Sequence, residues 1–113
     1  MAIDFTKMPC VYWSDATKVS YLQRRVIVYS LMYYRLNESC ISDADYESVV
    51  KQLVELQGSI DHKEFQKTAY YYVMHDFKGS TGFDLYYRLK SNDRNYLMGI
   101  AKQVLKQWRK DRS

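Results

Sequence analysis

The chain has 113 residues, a length that suits one domain built around one hydrophobic core. Hydrophobic residues make up 47%, which excludes a disordered chain, and the presence of only 4 glycines and 1 proline disfavours an all-β fold. The net charge is +4, and residues 102–112 carry five basic residues and one acid, so the whole excess lies at one end of the chain. A protein that grips a nucleic-acid backbone usually spreads its basic residues over a face instead.

The first predicted elements are an irregular leader over residues 1–13 and a helix over 15–36. Pro9 opposes helix formation inside the leader, and either Ser14 or Asp15 is suited to cap the helix that follows. Apolar side chains at spacings of three and four indicate one buried face of this helix. That predicted face consists of Val19, Leu22, Val26, Tyr29 and Tyr33.

Polar residues occupy the predicted solvent-facing side of this first helix, and they also form the joint to the next helix. Gln23, Arg24 and Arg25 are predicted to mark its solvent-facing side. After a polar joint, Ser42 begins the segment Ser-Asp-Ala-Asp, which resembles a capping box and predicts a second helix over 43–57.

A short joint between two helices makes them antiparallel neighbours, so residues 15–57 are predicted to form a helical hairpin. Gly58 is predicted to end its second helix.

Three further helices are predicted after the hairpin, over 62–77, 83–90 and 92–110. The segment 77–82 is predicted to be a loop, because its two glycines and two hydroxyl residues interrupt a helix. No segment alternates between apolar and polar residues as a strand would. The sequence therefore predicts an all-α fold, a single domain over 1–113 with four main helices and one short helix. Caps are predicted at Asp61 and at Ser91 or Asn92, and the inward faces are predicted to include Phe65, Ala69, Tyr72, Val73, Tyr96, Ile100, Val104 and Trp108.

Neither a structural metal site nor a membrane-spanning segment is expected. Cys10 and Cys40 form no Cys-x-x-Cys pair and no Cys/His cluster, so free thiols in a reducing cytoplasm are the favoured interpretation. No apolar run approaches the roughly 20 residues of a membrane span. The start of the chain lacks the apolar core of a secretion signal, so a cytoplasmic location is expected.

No combination of residues in the sequence predicts catalysis. His62 and His75 have no cysteine or histidine at metal-binding spacing, and no serine lies in a nucleophile-elbow motif. The segment Gly-Ser-Thr-Gly at 79–82 lacks the lysine and the preceding strand of a phosphate-binding P-loop. We therefore expect a binding protein, with no catalytic residues and no required cofactor.

The hairpin carries the most patterned segment of the chain, in which tyrosines and acids lie close together. Asp43, Tyr46 and Glu47 occupy one face of the first turn of the second helix, and Tyr33 and Tyr34 end the helix before it. Such rings and carboxylates are suited to stack a flat cationic ring and to bind sugar hydroxyls. From the residues alone a purely structural interpretation is favoured, because acids stabilise helix N-termini and tyrosines fill crevices between helices.

The segment "YYRLNESCISDADYESVVKQLVELQ" resembles the N-terminal helical domain, called Ia, of bacterial NAD-dependent DNA ligases, over residues 20–57. In that family the domain covers the nicotinamide mononucleotide half of the cofactor. The resemblance implies a pocket for nicotinamide mononucleotide or NAD, in which Tyr33 and Tyr46 contact the nicotinamide ring and the carboxylates hold the ribose and phosphate-linked groups. The implied pocket residues are Tyr33, Tyr34, Asp43, Tyr46 and Glu47.

Three departures from the ligase pattern limit what the resemblance implies. Glu47 stands where the family usually has aspartate, and Tyr34 stands where many members have histidine. The chain contains no Lys-x-Asp-Gly adenylation motif, so the resemblance implies part of a cofactor site and no ligase activity.

Three hypotheses about function follow from the sequence. The first is a small non-enzymatic accessory protein, of the kind that phages and mobile elements encode. It would bind a protein partner, for example a host enzyme or a defence system that it inhibits, or a second copy of itself, through a tyrosine-rich helical surface. The second is a module that binds nicotinamide mononucleotide or NAD. The third is a weak nucleic-acid binder that uses the basic residues of the last helix, namely Lys102, Lys106, Arg109 and Lys110.

Overall fold

Helices are the regular structure in the computed structural model, which describes residues 12–79 and 82–112, and no strand occurs among those residues. The all-α prediction is confirmed. Cys10 and almost all of the predicted leader lie outside the described residues. The centre of the predicted 77–82 loop also lies outside them. In chain order the helices are α1 (Asp15–Arg35), α2 (Asp43–Ser59), α3 (His62–Gln66), α4 (Tyr71–Met74), α5 (Leu85–Arg88) and α6 (Ser91–Arg112).

Local capping determines where the first helices begin, as the sequence predicts. Ser14 Oγ accepts a hydrogen bond from Thr17 N at 3.2 Å, and Ser42 Oγ accepts one from Asp45 N at 3.1 Å. Asp61 caps α3 in the same way, by accepting from a backbone N–H of the first turn. These side chains satisfy amide groups that have no partner inside the helix, so each helix start is specified by its own few residues.

The antiparallel hairpin is visible in two hydrogen bonds that join α1 to α2. Gln23, near the start of α1, donates to Gln57, near the end of α2, at 3.0 Å. Ser30, further along α1, lies 2.9 Å from the hydroxyl of Tyr46 in the first turn of α2. The pairing order is reversed between the helices, which is the geometry that the short joint predicts.

An asparagine in the left-handed backbone region makes the turn between α1 and α2. Asn37 has a φ of 56°, a conformation that asparagine tolerates better than most residues. The amides of Leu36 and Glu38 then reach back to the last turn of α1, where Met32 O accepts both at 3.1–3.2 Å. The chain thereby reverses within a few residues and brings Ser42 to the start of α2.

The predicted helix over 62–77 is interrupted in the structure between α3 and α4. Ser20 Oγ of α1 accepts from Ala69 N at 3.0 Å, and Gln23 Oε1 accepts from Tyr70 N at 3.0 Å. These two amides would bond within the helix if it continued, so polar side chains of α1 replace the helical bonds and stabilise the break. The inward position predicted for Ala69 is wrong, because Ala69 is exposed.

Two of the three polar residues assigned to the wet side of α1 are buried, so that prediction is wrong for them. Gln23 is 0% exposed and Arg25 is 2% exposed. Gln23 is buried because the break between α3 and α4 supplies hydrogen-bond partners for it. The guanidinium of Arg25 lies over the rings of Tyr21 and Tyr29, at 5.5 and 5.9 Å from their centroids.

The hydrophobic core lies where α1 packs against α2 and α6, which makes α1 the central helix. Tyr33 and Tyr96 are each 57% exposed, so their predicted inward positions are wrong. Each lies at the edge of its helix's buried stripe, where a large ring reaches water. The fully buried side chains of the core include Val19, Leu22, Val26, Ile27, Leu53, Val73, Met74, Leu97 and Ala101.

Other predicted helix boundaries also differ from the structure, and the short helix predicted over 83–90 extends only over Leu85–Arg88. Gly58 does not end α2, which continues through Ser59, because the helical backbone breaks only at Ile60, with a ψ of 148°. The helix α6 begins at Ser91, and Arg94 N donates its opening hydrogen bond to Lys90 O at 2.8 Å. Ser91 and Asn92, the residues predicted to cap this helix, are therefore part of it. Boundary residues shift easily, since terminal turns have few competing contacts.

Cys40 is a free thiol, as predicted, and its sulfur lies 3.7 Å from that of Met32. Burial raises the pKa of this thiol. Among the described residues no helix has both the length and the apolar character to cross a membrane. The described part of the chain also contains no cluster of His, Cys, Asp and Glu that is suited to a metal ion.

Candidate functional site: a tyrosine-lined cavity in the hairpin

The predicted ligand residues come together around a cavity of about 290 Å³ between the end of α1 and the start of α2. We call it the tyrosine cavity. All the residues that the resemblance implies lie in its wall, namely Tyr33, Tyr34, Asp43, Tyr46 and Glu47. The antiparallel hairpin accounts for this, because it places the last turns of α1 beside the first turn of α2.

Sequence reasoning missed the other residues of the wall. Tyr29 and Ser30 precede Tyr33 by four and three positions on α1, so helical spacing was a signal that could have found them. Gly79 joins the wall from the loop after α4, and only the tertiary fold brings it there. The joint between α1 and α2 contributes Ser39 and Ile41.

Four tyrosine rings make up the aromatic part of the cavity, and they meet at steep angles. The rings of Tyr33 and Tyr34 are 4.8 Å apart at 81°, and those of Tyr29 and Tyr46 are 6.5 Å apart at 80°. Edge-to-face packing of this kind stabilises aromatic pairs and keeps them from collapsing into a flat stack. Ring surfaces therefore lie on more than one side of the space that they enclose.

The inner wall is rigid because its polar atoms are hydrogen-bonded. Ser30 Oγ donates to Val26 O at 2.9 Å, so the hydroxyl of Tyr46 is the donor in its 2.9 Å contact with Ser30 Oγ. Burial raises the pKa of the Tyr46 phenol, and burial also raises the pKa of Tyr29, against the opposing effect of the Arg25 guanidinium. Both phenols stay neutral around pH 7, and Tyr46 presents its ring to the cavity with its hydroxyl already engaged.

The outer wall carries the charge. Asp43 and Glu47 are exposed and lie one turn apart on α2. Among the residues that the structure describes, neither carboxylate is within salt-bridge distance of a lysine or arginine. The cavity thus combines aromatic surface with two carboxylates that are available to a cationic or hydroxyl-bearing ligand.

Comparison with known proteins finds a match that bears on the ligase resemblance. A DNA ligase of Buchnera aphidicola subsp. Acyrthosiphon pisum (strain 5A) is 39% identical over 51 residues. Part of this chain is similar to part of a DNA ligase. The match covers 45% of this chain and 7% of that ligase, so the chain spans only a small fraction of its relative. No protein-family model matches the chain, and no solved structure matches it.

The match supports a ligase-like segment, while its assignment to the Ia domain stays a prediction. The same holds for the roles of the cavity residues in binding a nucleotide. The structure adds one observation to the match. The residues that the resemblance identifies in the sequence all lie in the wall of one cavity.

The basic residues of α6 are arranged less favourably for nucleic acid than the sequence suggests. Lys102, Lys106 and Lys110 are exposed. Arg109 is turned toward the joint between α1 and α2, where Arg109 Nε donates to Glu38 Oε2 at 2.9 Å and its terminal amine contacts the other oxygen. This bidentate pair neutralises one of the four charges of the predicted basic surface.

A row of exposed rings continues from the tyrosine cavity across the surface. Phe83 packs against Tyr34 at 5.6 Å and against Tyr87 at 6.4 Å, and Arg35 Nη1 donates to the hydroxyl of Tyr87 at 3.2 Å. Tyr33, Phe83 and Tyr87 are each more than half exposed. We call these residues, with Tyr34, the aromatic strip.

Proposed function

We propose that the tyrosine cavity binds the nicotinamide mononucleotide half of a nicotinamide cofactor, and that the chain acts by binding rather than by catalysis. The observation that carries the proposal is the location of Tyr33, Tyr34, Asp43, Tyr46 and Glu47 in one cavity wall. The similarity of part of this chain to part of a DNA ligase is the second observation in its favour.

The size of the cavity supports a single nucleotide rather than a complete dinucleotide. Its volume of about 290 Å³ lies at the lower end of the ~300–1,000 Å³ that small-molecule sites usually have. The tyrosine rings supply stacking surface for the nicotinamide, and the carboxylates of Asp43 and Glu47 accept hydrogen bonds from ribose hydroxyls. Because the site is open to solvent on the carboxylate side, we expect a dissociation constant of about 1 mM, or about −4 kcal/mol.

Replacing Tyr33 by alanine is expected to weaken nicotinamide mononucleotide binding about tenfold, since one stacked ring contributes on the order of 1–3 kcal/mol. The measurement is isothermal titration calorimetry of the purified chain with nicotinamide mononucleotide. Tyr96→Ala is the matched control, because Tyr33 and Tyr96 are both 57% exposed and Tyr96 lies outside the cavity wall. Equal weakening by both variants, or no heat of binding from the native chain, would contradict the proposal.

A second candidate function is the binding of a protein partner through the aromatic strip. Exposed tyrosine, phenylalanine and arginine are the residues that most often carry the binding energy of protein interfaces. Three rings of the strip are more than half exposed, and ring contacts run in sequence from Tyr33 through Tyr34 and Phe83 to Tyr87, whereas singly exposed apolar residues form no such row. The proposed partner is a host enzyme or a defence protein of the cell that a phage or mobile element would enter.

The double variant Phe83→Ser, Tyr87→Ser is expected to lose a partner that the native chain retains in affinity capture, because two of the four rings of the strip disappear. Tyr96→Ser removes an exposed ring of α6 outside the strip and serves as the control. Sedimentation of the purified chain tests the homodimer separately. Capture of the same proteins by all three baits, together with a monomer that no variant alters, counts against this candidate.

A further inference from the structure

The charges around the tyrosine cavity are strongly one-sided. Among the residues that the structure describes, its wall contains the carboxylates of Asp43 and Glu47 and no lysine, arginine or histidine. A second groove adjoins the cavity along α2 and contains Lys51 and Lys78, but it also contains Glu47 and Glu55, so its charges balance. The buried guanidinium of Arg25 lies behind the ring of Tyr29, outside the wall.

We propose that the cavity selects the ligand by charge: it takes the oxidised, cationic nicotinamide ring and discriminates against the reduced, neutral ring. This inference rests on the proposed function and specifies the form of the ligand. The oxidised ring is an N-substituted pyridinium with one positive charge, whereas the reduced ring is an uncharged dihydropyridine. Two carboxylates and the negative faces of tyrosine rings attract the first and have no such attraction for the second.

The arrangement of the rings favours a flat cation over other positively charged ligands. The pair Tyr33–Tyr34 and the pair Tyr29–Tyr46 each meet at about 80°, so aromatic surface borders the cavity on more than one side. The pyridinium carries its charge in a ring that both stacks and attracts, and a lysine-like ammonium lacks the stacking surface.

The absence of basic side chains from the wall has a consequence for the phosphate of the nucleotide. Phosphate groups in proteins are usually held by arginine, lysine or helix N-terminal amides. The described part of the cavity wall offers no basic side chain to hold it, and Asp43 and Glu47 repel a dianion. At the start of α2, Ser42 Oγ already accepts from Asp45 N, and the two carboxylates lie one turn apart there. We therefore expect the phosphate to add no affinity and the nucleoside to bind at least as tightly as the nucleotide.

The experiment compares the oxidised and reduced forms of nicotinamide riboside, which carry no phosphate, in titrations of the full chain. The oxidised form is expected to bind about tenfold more tightly, a difference that corresponds to about 1.4 kcal/mol. In the double variant Asp43→Asn, Glu47→Gln this ratio is expected to fall toward one, because the substitutions keep size and hydrogen bonding and remove the charge. Nicotinamide mononucleotide is expected to bind no more tightly than the oxidised riboside.

Glu55→Gln is the matched control, because it removes a carboxylate of α2 that lies in the adjoining groove and outside the cavity wall. It is expected to leave the ratio unchanged. Equal binding of the two riboside forms to the native chain, an unchanged ratio in the double variant, or tenfold tighter binding of the mononucleotide would overturn the inference. Failure of the proposed function is distinguishable, because neither riboside form nor the mononucleotide would then bind at all.

Discussion

Replacing Gln23 by leucine is expected to lower the free energy of unfolding by about 3 kcal/mol. Its side-chain amide donates to Gln57 Oε1 and to Thr68 Oγ1, each at 3.0 Å, and its oxygen accepts from Tyr70 N at 3.0 Å. Gln57 in turn donates to Met74 O at 3.2 Å, so one connected network joins α1, α2 and the break before α4. Leucine fills a similar volume and leaves the partner groups buried without hydrogen bonds.

Urea denaturation followed by circular dichroism measures this change. Gln103→Leu on α6 is the control, because Gln103 is exposed and its replacement is expected to change stability by no more than about 0.5 kcal/mol. A typical domain is stable by about 5–15 kcal/mol, so a loss of about 3 kcal/mol is a large fraction. Equal denaturation midpoints for Gln23→Leu and the native chain would show that the network contributes little.

The substitution Gly82→Ala is expected to destabilise the fold by about 2 kcal/mol and to disturb the inner wall of the tyrosine cavity. A Cβ atom on Gly82 would overlap Ser30 Oγ, and it would lie 2.7 Å from Ser30 Cβ and 3.2 Å from Tyr46 Oη. Rotation of the serine hydroxyl does not relieve the contact with Ser30 Cβ, which is fixed to the backbone of α1. Either the loop or α1 must therefore shift, and the Ser30–Tyr46 hydrogen bond shifts with it.

Gly99→Ala provides a control in which the same chemical change has the opposite expected sign. Gly99 lies inside α6, and a Cβ there would meet no atom within 4 Å. Alanine favours the helix over glycine by about 1 kcal/mol, so this variant is expected to be more stable than the native chain. The measurement is the midpoint of urea denaturation for both variants. A result in which the two alanines shift the midpoint in the same direction contradicts the close packing of Gly82 against Ser30.

Gln23 and Gly82 illustrate the difference between features of the fold that depend on local sequence and features that depend on tertiary contacts. The α1–α2 hairpin was predictable, because its determinants lie in the residues that form it. Ser14 and Ser42 cap the helices with their own hydroxyls, and the joint is short enough to permit only an antiparallel return. The break in the helix predicted over 62–77 was not predictable, because it depends on partners almost fifty residues away, Ser20 and Gln23.

The same division applies to the tyrosine cavity. Helical spacing alone places Asp43, Tyr46 and Glu47 on one face, and the short joint brings Tyr33 and Tyr34 beside them. The composition by itself excluded a disordered chain, and the hydrophobic spacing determined an all-α fold. Local chemistry was sufficient for these features, since each depends on residues within about one turn or one short joint.

Only the tertiary structure decided which polar side chains are buried and which segment packs against Ser30 of the cavity wall. The sequence predicts a solvent-facing position for Gln23, but its hydrogen-bond partners on α2 and before α4 account for its burial. The sequence identifies Gly82 only as a loop glycine, and the tertiary structure shows that it packs against Ser30. In both positions the cost of an unpaired buried group or an overlapping atom arises from segments far apart in the chain, and no local pattern carries that information.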